Sequence, residues 1–306
     1  MHALLLAATL SASLAVPLTL HTLNSSTARC LDGSRAGYYY RPGKGSTWVI
    51  YLEGGGACYT YSDCLARTRT PLGSSTHWPP TFVQPDNVLS DDAAINPVFA
   101  AAHALYVPYC GGDVHRGTRT SPLNASWPFT FAGHLIVEAV LDALVGPGGA
   151  HAAAFAAAAE VLVSGSSAGG LGTLLNSDYI ASRVPAGVRV RAAPQGGFFF
   201  PRDVEVFPVW EGNGGNGGPD VWEDLAFASE LYQGYNNPAC IAAYNASYCD
   251  TVDHAFRFTR VSCVAVVLRA RPAPWAAPPP PHQALLLSHK LRCPPLSLKT
   301  WWTRSR

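Results

Sequence analysis

One serine set between glycines carries the clearest chemistry in this sequence. Gly165-Ser166-Ser167-Ala168-Gly169 has the pattern Gly-x-Ser-x-Gly, which is typical of a tight strand-to-helix turn that exposes a serine hydroxyl. The outer glycines are needed because side chains at those positions would collide with the flanking strand and helix. The pattern predicts Ser167 as a nucleophile and the Ala168 amide as a donor to a substrate oxyanion.

A second glycine-rich turn could supply further oxyanion donors. Glu53-Gly54-Gly55-Gly56-Ala57-Cys58 follows an apolar run, and hydrolases with this kind of serine turn take another oxyanion amide from an early glycine-rich loop. We therefore expect the amides of Gly55 and Gly56 to face the Ser167 hydroxyl. A phosphate-binding loop is the alternative, but such a loop ends in Gly-Lys-Ser/Thr, which is absent here.

The elements that must position these turns follow an alternating pattern. Apolar runs at 47–52, 104–109 and 160–164 each precede glycine, as expected for buried parallel strands with functional loops at their carboxyl ends. Apolar residues at helical spacing predict a helix over 131–145, and the serine turn is expected to lead into a helix over 171–184. This alternation predicts the α/β class, with a mostly parallel central sheet flanked by helices. Together with the serine turn, it predicts an α/β-hydrolase-like fold.

Composition excludes several other classes of function. The 306 residues are 48% hydrophobic, so the chain can bury one large core. Its formal net charge of +1 provides no basic stripe, and no nucleic-acid partner is expected. The eight cysteines include no Cys-x-x-Cys pair, so we expect neither a metal nor a cofactor.

The N-terminus and the cysteines indicate export. Residues 1–15 are predicted to be a signal peptide, because their apolar run has the length of such a segment and is too short to span a bilayer. A buried N-terminal strand or helix is the alternative, and no transmembrane segment is expected. Eight cysteines favour disulfides, and the sequons at Asn24, Asn124 and Asn245 agree with a secreted glycoprotein.

Four motifs in order resemble those of the pectin acetylesterase and Notum family. The resemblance covers about residues 16–250 and is carried by the segments 52–58, 72–75, 107–113 and 164–170. It implies a secreted carboxylesterase with a Ser-Asp-His triad that removes acetyl groups from an acetylated, pectin-like polysaccharide of the cell wall. The alternative is a Notum-like enzyme, whose substrate is a protein that carries a fatty acyl group.

The chain departs from this family at two positions near the motifs. Plant-type members have Trp directly before the cysteine of the glycine motif, and Notum has an aromatic pair there, whereas this chain has Gly56-Ala57. The missing bulk argues against a lipid-gripping pocket and removes a possible sugar-stacking platform. Some thirty residues after Ser167, where the family has an Asp, this chain reads Pro194-Gln195-Gly196.

The acid and base of the triad have no clear carriers. In this fold they follow the nucleophile in the order Asp or Glu, then His, and the histidines after Ser167 are His254, His282 and His289. We name His289, in Leu-Ser-His, as the first candidate base. The last acids are Asp250 and Asp253, which no predicted strand presents. The sequence therefore also allows a catalytically impaired homologue that acts as a secreted binding protein.

Three segments follow from these patterns. Residues 1–15 are the signal peptide, 16–268 the esterase domain, incomplete at its C-terminal end, and 269–306 a basic, proline-rich tail that is expected to be poorly ordered. Residues 254–306 contain no Asp or Glu. We interpret this region as a divergent extension or as a departure from the reading frame of the family. A small disulfide-framed interaction module is disfavoured by the length of the chain.

Overall fold

A mixed β-sheet lies at the centre of the computed structural model, which describes residues 15–83, 87–197, 230–245, 249 and 256–263. Within these ranges the sheet has eight strands in the order β4-β1-β2-β5-β3-β6-β7-β8. The strands are β1 (Leu18–Thr22), β2 (Gly37–Arg41), β3 (Thr47–Leu52), β4 (Thr81–Phe82), β5 (His103–Val107), β6 (Glu160–Ser166), β7 (Arg189–Gln195) and β8 (Ser262–Cys263).

The sheet is parallel over its functional half. Strands β5, β3, β6, β7 and β8 are all parallel neighbours, whereas β4, β1 and β2 extend the other edge with antiparallel pairings. The carboxyl ends of the parallel strands therefore open at one edge, where loops can meet. This arrangement confirms the predicted α/β class with a mostly parallel central sheet.

Helices pack on one face of the sheet, and residues of the 82–102 segment cover part of the other. The described helices are α1 (Tyr61–Arg67), α2 (Gly133–Val145), α3 (Ala152–Phe155), α4 (Ala168–Arg183) and α5 (Pro238–Ala243). Alternate β3 residues enter opposite cores: Trp48 and Ile50 pack with apolar residues of α2 and α4 on one face, and Val49 packs on the other. A strand buried on both sides reads as a continuous apolar run, which is why β3 was predictable.

The predicted elements lie close to the observed ones. The run at 47–52 is β3, the strand expected at 160–164 extends to Ser166, and the strand expected at 104–109 spans His103–Val107. Strand β5 ends at Val107 because Pro108 lacks the backbone donor needed to continue it. The helix expected at 171–184 begins instead at Ala168, directly after the turn residue.

Three disulfides join described residues: Cys30–Cys110, Cys58–Cys64 and Cys240–Cys249. Such bonds form and persist in oxidising compartments, so they support an exported protein. No helix in the described ranges is long and apolar enough to cross a membrane. The predicted signal peptide, apart from residue 15, and the 269–306 tail lie outside those ranges.

Candidate active site

Ser167 occupies a sharp turn between a buried strand and a buried helix. Strand β6 ends at Ser166 and α4 begins at Ala168, while Ser167 itself has φ 53° and ψ −119°. A positive φ is unusual for a residue with a side chain and persists only where the surroundings hold it. Here the Ser167 amide donates a 2.8 Å hydrogen bond to the Gln195 carbonyl oxygen. Ser167 is exposed although its neighbours are largely buried.

The glycines around Ser167 are required by close backbone contacts. A Cβ at Gly169 would collide with the Leu52 carbonyl oxygen, and one at Gly165 would lie 2.5 Å from the same oxygen. The serine turn therefore packs directly on the carboxyl end of β3. This contact brings it beside the loop that follows Leu52, which is the second glycine-rich turn of the sequence.

That second turn touches the serine turn through Gly54. A Cβ at Gly54 would collide with the carbonyl oxygen of Ser166, the residue before the candidate nucleophile. Gly55 and Gly56 have φ values of 149° and 73°, a region that favours glycine. Ala57 packs against a cluster that includes Ala168. The structure thus brings the 54–57 segment and the start of α4 together.

A buried hydrogen-bond network joins Glu53, the residue before the glycine turn, to the loop after β5. The Glu53 carboxylate accepts a 2.7 Å bond from the Tyr109 amide, and the Tyr109 hydroxyl accepts one of 2.7 Å from the Val114 amide. The His115 Nε2 atom bonds the Glu53 carbonyl oxygen at 2.8 Å. Because a carbonyl oxygen only accepts, Nε2 carries the proton. The loop after β5 therefore anchors the residue that begins the glycine turn.

Burial dominates the electrostatics of this network. Desolvation lowers the pKa of His115 to about 4, since the charged imidazolium is penalised away from water. Desolvation likewise raises the pKa of Asp113 to about 6, although backbone amides, including that of Gly133, bond its carboxylate and oppose the shift. Burial also raises the pKa of the Glu53 carboxyl. His115 is thus neutral and already bonded, and it is unsuited to act as the base for Ser167.

The predicted acid and base fall outside the described ranges. Asp250, Asp253, His254, His282 and His289 all lie there, and His289 stays a prediction. At the position of the missing family Asp, Gln195 donates from Nε2 to the Ser164 hydroxyl at 3.1 Å. Its backbone carbonyl holds the Ser167 amide, a contact that any residue could make.

Sequence reasoning missed the supporting roles of Glu53 and His115 and of one arginine. The Arg67 Nη2 atom donates a 2.6 Å hydrogen bond to the Gly55 carbonyl oxygen. The one available signal was the presence of Glu53 inside a glycine motif that already drew attention. The His115 contact joins residues 62 positions apart, which no local pattern indicates.

Comparison with known proteins agrees with this geometry. A profile of the Pectinacetylesterase family matches residues 10–206, more than half of the chain. The chain belongs to the pectin acetylesterase family. The matched region contains the whole described site, from the Gly54–Gly56 turn to Gln195, and it confirms the resemblance inferred from the four motifs.

Relatives of this pectin acetylesterase family member include both plant and animal proteins. Over 177 residues it is 38% identical to pectin acetylesterase 4 of Arabidopsis thaliana, covering 56% of this chain and 41% of that protein. Over 187 residues it is 37% identical to palmitoleoyl-protein carboxylesterase notum1 of Xenopus laevis, covering 59% and 36%. The matched region thus spans about two fifths of these curated relatives.

A solved structure extends the similarity to three dimensions. The Wnt deacylase Notum from Drosophila superimposes with a TM-score of 0.68 at 26% sequence identity, covering 82% of this chain and 71% of that one. Notum is an α/β-hydrolase-like protein, so the comparison supports the fold class reached from the strand order.

Proposed function

We propose that this chain is a secreted serine carboxylesterase in which Ser167 attacks the ester carbonyl. The single observation that carries the proposal is the position of Ser167, which is exposed, held at φ 53° between β6 and α4, and packed beside the Gly54–Gly56 turn. Such a turn is the usual support of a hydrolase nucleophile. Membership of an esterase family supports the same reaction.

The oxyanion hole is proposed to comprise the amides of Gly55, Gly56 and Ala168. As Ser167 Oγ bonds to the carbonyl carbon, negative charge develops on the carbonyl oxygen, and preorganised amides stabilise it. The alcohol then leaves with a proton, and water releases the acid from the acyl-serine. A general base must accept the Ser167 proton, and we assign His289 to this role as the first candidate.

Acetyl groups on a pectin-like polysaccharide are the proposed substrate. The family description and the Arabidopsis relative support this class. Ala57 gives the segment beside Ala168 a small side chain, which agrees with a small acyl group. The disulfides support action outside the cell, and the substrate class implies a cell-wall location.

A Notum-like protein deacylase is the second candidate. It is supported by the Xenopus relative and by the superposition on Drosophila Notum. The absence of bulk at Gly56-Ala57 argues against it, because a fatty acyl chain needs a large apolar surface to offset the cost of ordering it. A catalytically impaired binding protein is a third candidate, because a serine without its base is a poor nucleophile.

A paired substrate experiment separates these candidates. Recombinant chain is incubated with acetylated pectin and with a palmitoleoylated peptide, and released acetate and free peptide are quantified beside Ser167→Ala and His289→Ala variants. If the chain is a polysaccharide esterase, acetate is released from pectin, and both Ser167→Ala and His289→Ala abolish that release. Deacylation of the peptide alone supports the Notum-like alternative. Binding to pectin without release of either product supports the impaired homologue.

A further inference from the structure

Arg67 directs its charge at the glycine loop. Its Nη2 atom donates a 2.6 Å hydrogen bond to the Gly55 carbonyl oxygen, and its guanidinium carbon lies 5.5 Å from the centre of the Tyr109 ring. Among the described residues, no carboxylate forms an ion pair with it. The Arg67 Nη1 atom also donates to the Leu72 carbonyl oxygen at 3.5 Å. The shorter of these two bonds is the one to Gly55, in the loop that packs on the serine turn.

The stem of Arg67 is held firmly by its surroundings. Arg67 is the last residue of α1, a short helix capped by the Thr60 side chain and tied down by the Cys58–Cys64 disulfide. A Cβ at Gly112 would lie 3.2 Å from the Arg67 Cδ atom, so the loop after β5 packs against the stem. An arginine held along its length loses little further freedom when its guanidinium bonds the loop.

The bond to Gly55 sets the direction of the next amide. In a planar trans peptide, the carbonyl and the following N–H point to opposite sides. With the Gly55 carbonyl turned toward Arg67, the Gly56 N–H points away from Arg67. Glycines with φ 149° and 73° flank this peptide, so little steric hindrance opposes its rotation. A rotated peptide would present a carbonyl oxygen where the amide had been.

We propose that Arg67 is a positioning residue that keeps the Gly55–Gly56 peptide turned so that the Gly56 amide serves the oxyanion. The same hydrogen bond polarises the peptide and strengthens the amide as a donor. The inference rests on the proposed esterase function. It assigns to Arg67 no contact with substrate, only control over a group that makes one.

Kinetics of Arg67→Gln and Arg67→Lys test the inference, with Arg69→Gln as the matched control because Arg69 is exposed and makes no side-chain contact with the loop. Loss of one oxyanion donor lowers kcat by about 10²–10³-fold, so Arg67→Gln is expected to lose about 10–10³-fold in kcat with KM within about threefold. Affinity for a trifluoromethyl ketone, which forms a tetrahedral serine adduct, should fall in parallel. Arg67→Lys should recover part of both.

Two measurements, a melting temperature and a crystal structure of the variant, separate this role from general support of the fold. Arg67→Gln should keep the melting temperature of the control while its crystal structure shows the Gly55 carbonyl rotated. A kcat within threefold of the control, or a loss in Arg67→Gln accompanied by an unrotated peptide and unchanged ketone affinity, overturns the inference. If the wild-type chain hydrolyses no ester, the proposed function fails, and the orientation of the Gly55 carbonyl in the variant still decides the role of Arg67.

Discussion

The backbone amide of Ser167 donates to the carbonyl oxygen of Gln195 at 2.8 Å, and this bond joins the serine turn to the end of β7. The Gln195 side chain takes no part in this contact, because the backbone makes it. The turn is thus held from both neighbouring strands, by Gln195 on one side and by the Leu52 carbonyl on the other.

Replacing Gly169 with alanine should damage the serine turn. Its Cβ would collide with the Leu52 carbonyl oxygen, and overpacking of this kind costs about 1–3 kcal/mol or more. Gly187→Ala is the comparison, because Gly187 has a positive φ but no atom within 4 Å of a Cβ, so its cost is confined to about 1–2 kcal/mol of backbone strain. Urea unfolding of both variants checks the order, and equal losses would contradict the packing described here.

Asp178 should secure a distant segment to α4. Its carboxylate accepts 2.9 Å bonds from the amides of Arg260 and Val261 and from the Asn237 side chain. A hydrogen bond to a charged group contributes about 1.5–3 kcal/mol to stability. Asp178→Ala should therefore lower the free energy of unfolding by roughly 2 kcal/mol. It should also remove hydrogen-exchange protection at the amides of Arg260 and Val261.

The control for Asp178 is another acid, Asp142, whose own side chain is exposed. Asp142 pairs with Arg183 at 2.6 Å, but its side chain is 59% exposed, and exposed ion pairs contribute about 0–1 kcal/mol. Asp142→Asn should therefore change little. Retained protection of the 260 and 261 amides in Asp178→Ala would show that other contacts hold the segment.

Stability should decline in acid partly through His115. Its folded pKa of about 4 lies below its ordinary value of 6.5, so between these values the unfolded chain binds a proton that the folded chain excludes. Stability from this group is present above pH 6.5 and is lost as the pH falls toward 4, by up to about 3 kcal/mol. Asp113, with its raised pKa, acts in the opposite direction over much of the same range.

A variant isolates the His115 contribution from that of Asp113. His115→Gln keeps a donor for the Glu53 carbonyl but does not titrate, so its unfolding midpoint should fall less steeply between pH 6.5 and 4.5 than that of the wild type. His77→Gln, at an exposed position, should retain the wild-type slope. Parallel pH profiles for the wild type and His115→Gln would contradict the assignment.

Two disulfides of this chain close loops of very different length, so their contributions to stability can be compared. Cys30–Cys110 spans 80 residues and Cys58–Cys64 spans 6. The chain-entropy relation gives about 4–5 kcal/mol for the longer loop and about 2–3 kcal/mol for the shorter one. Paired Cys→Ala variants should follow this order in urea unfolding, and a reversed order would show that local packing outweighs loop entropy.

The serine turn was predictable because its determinants are local. A strand rich in valine, two glycines and a helix lie side by side in the sequence around Ser167, and β3 likewise lies next to the Gly54–Gly56 turn. Strand β7 was missed because Arg189 and Arg191 interrupt its apolar pattern, and in the structure Arg191 pairs with Glu160 on β6 at 3.1 Å. Such a pairing is visible only after the strands are aligned.

The supporting residues of the site depend on contacts that the sequence separates widely. Arg67 lies 12 positions from the glycine it bonds, and His115 lies 62 positions from Glu53. Residue type alone would have allowed either to be a solvated side chain or a catalytic group. For His115 the structure shows which role applies. Burial lowers its pKa, so the imidazole is neutral, and its Nε2 atom is bonded to the Glu53 carbonyl oxygen.

The most direct test of the account is p-nitrophenyl acetate hydrolysis by the wild-type chain, Ser167→Ala and Ser182→Ala, where Ser182 is an exposed serine near the end of α4. Removing the nucleophile of a serine hydrolase lowers kcat by about 10⁴–10⁶-fold. The account predicts a measurable wild-type rate, lower than that of a family member with an intact triad, that Ser182→Ala retains and Ser167→Ala reduces to background. Equal rates for the wild type and Ser167→Ala would contradict the assignment of Ser167 as the nucleophile.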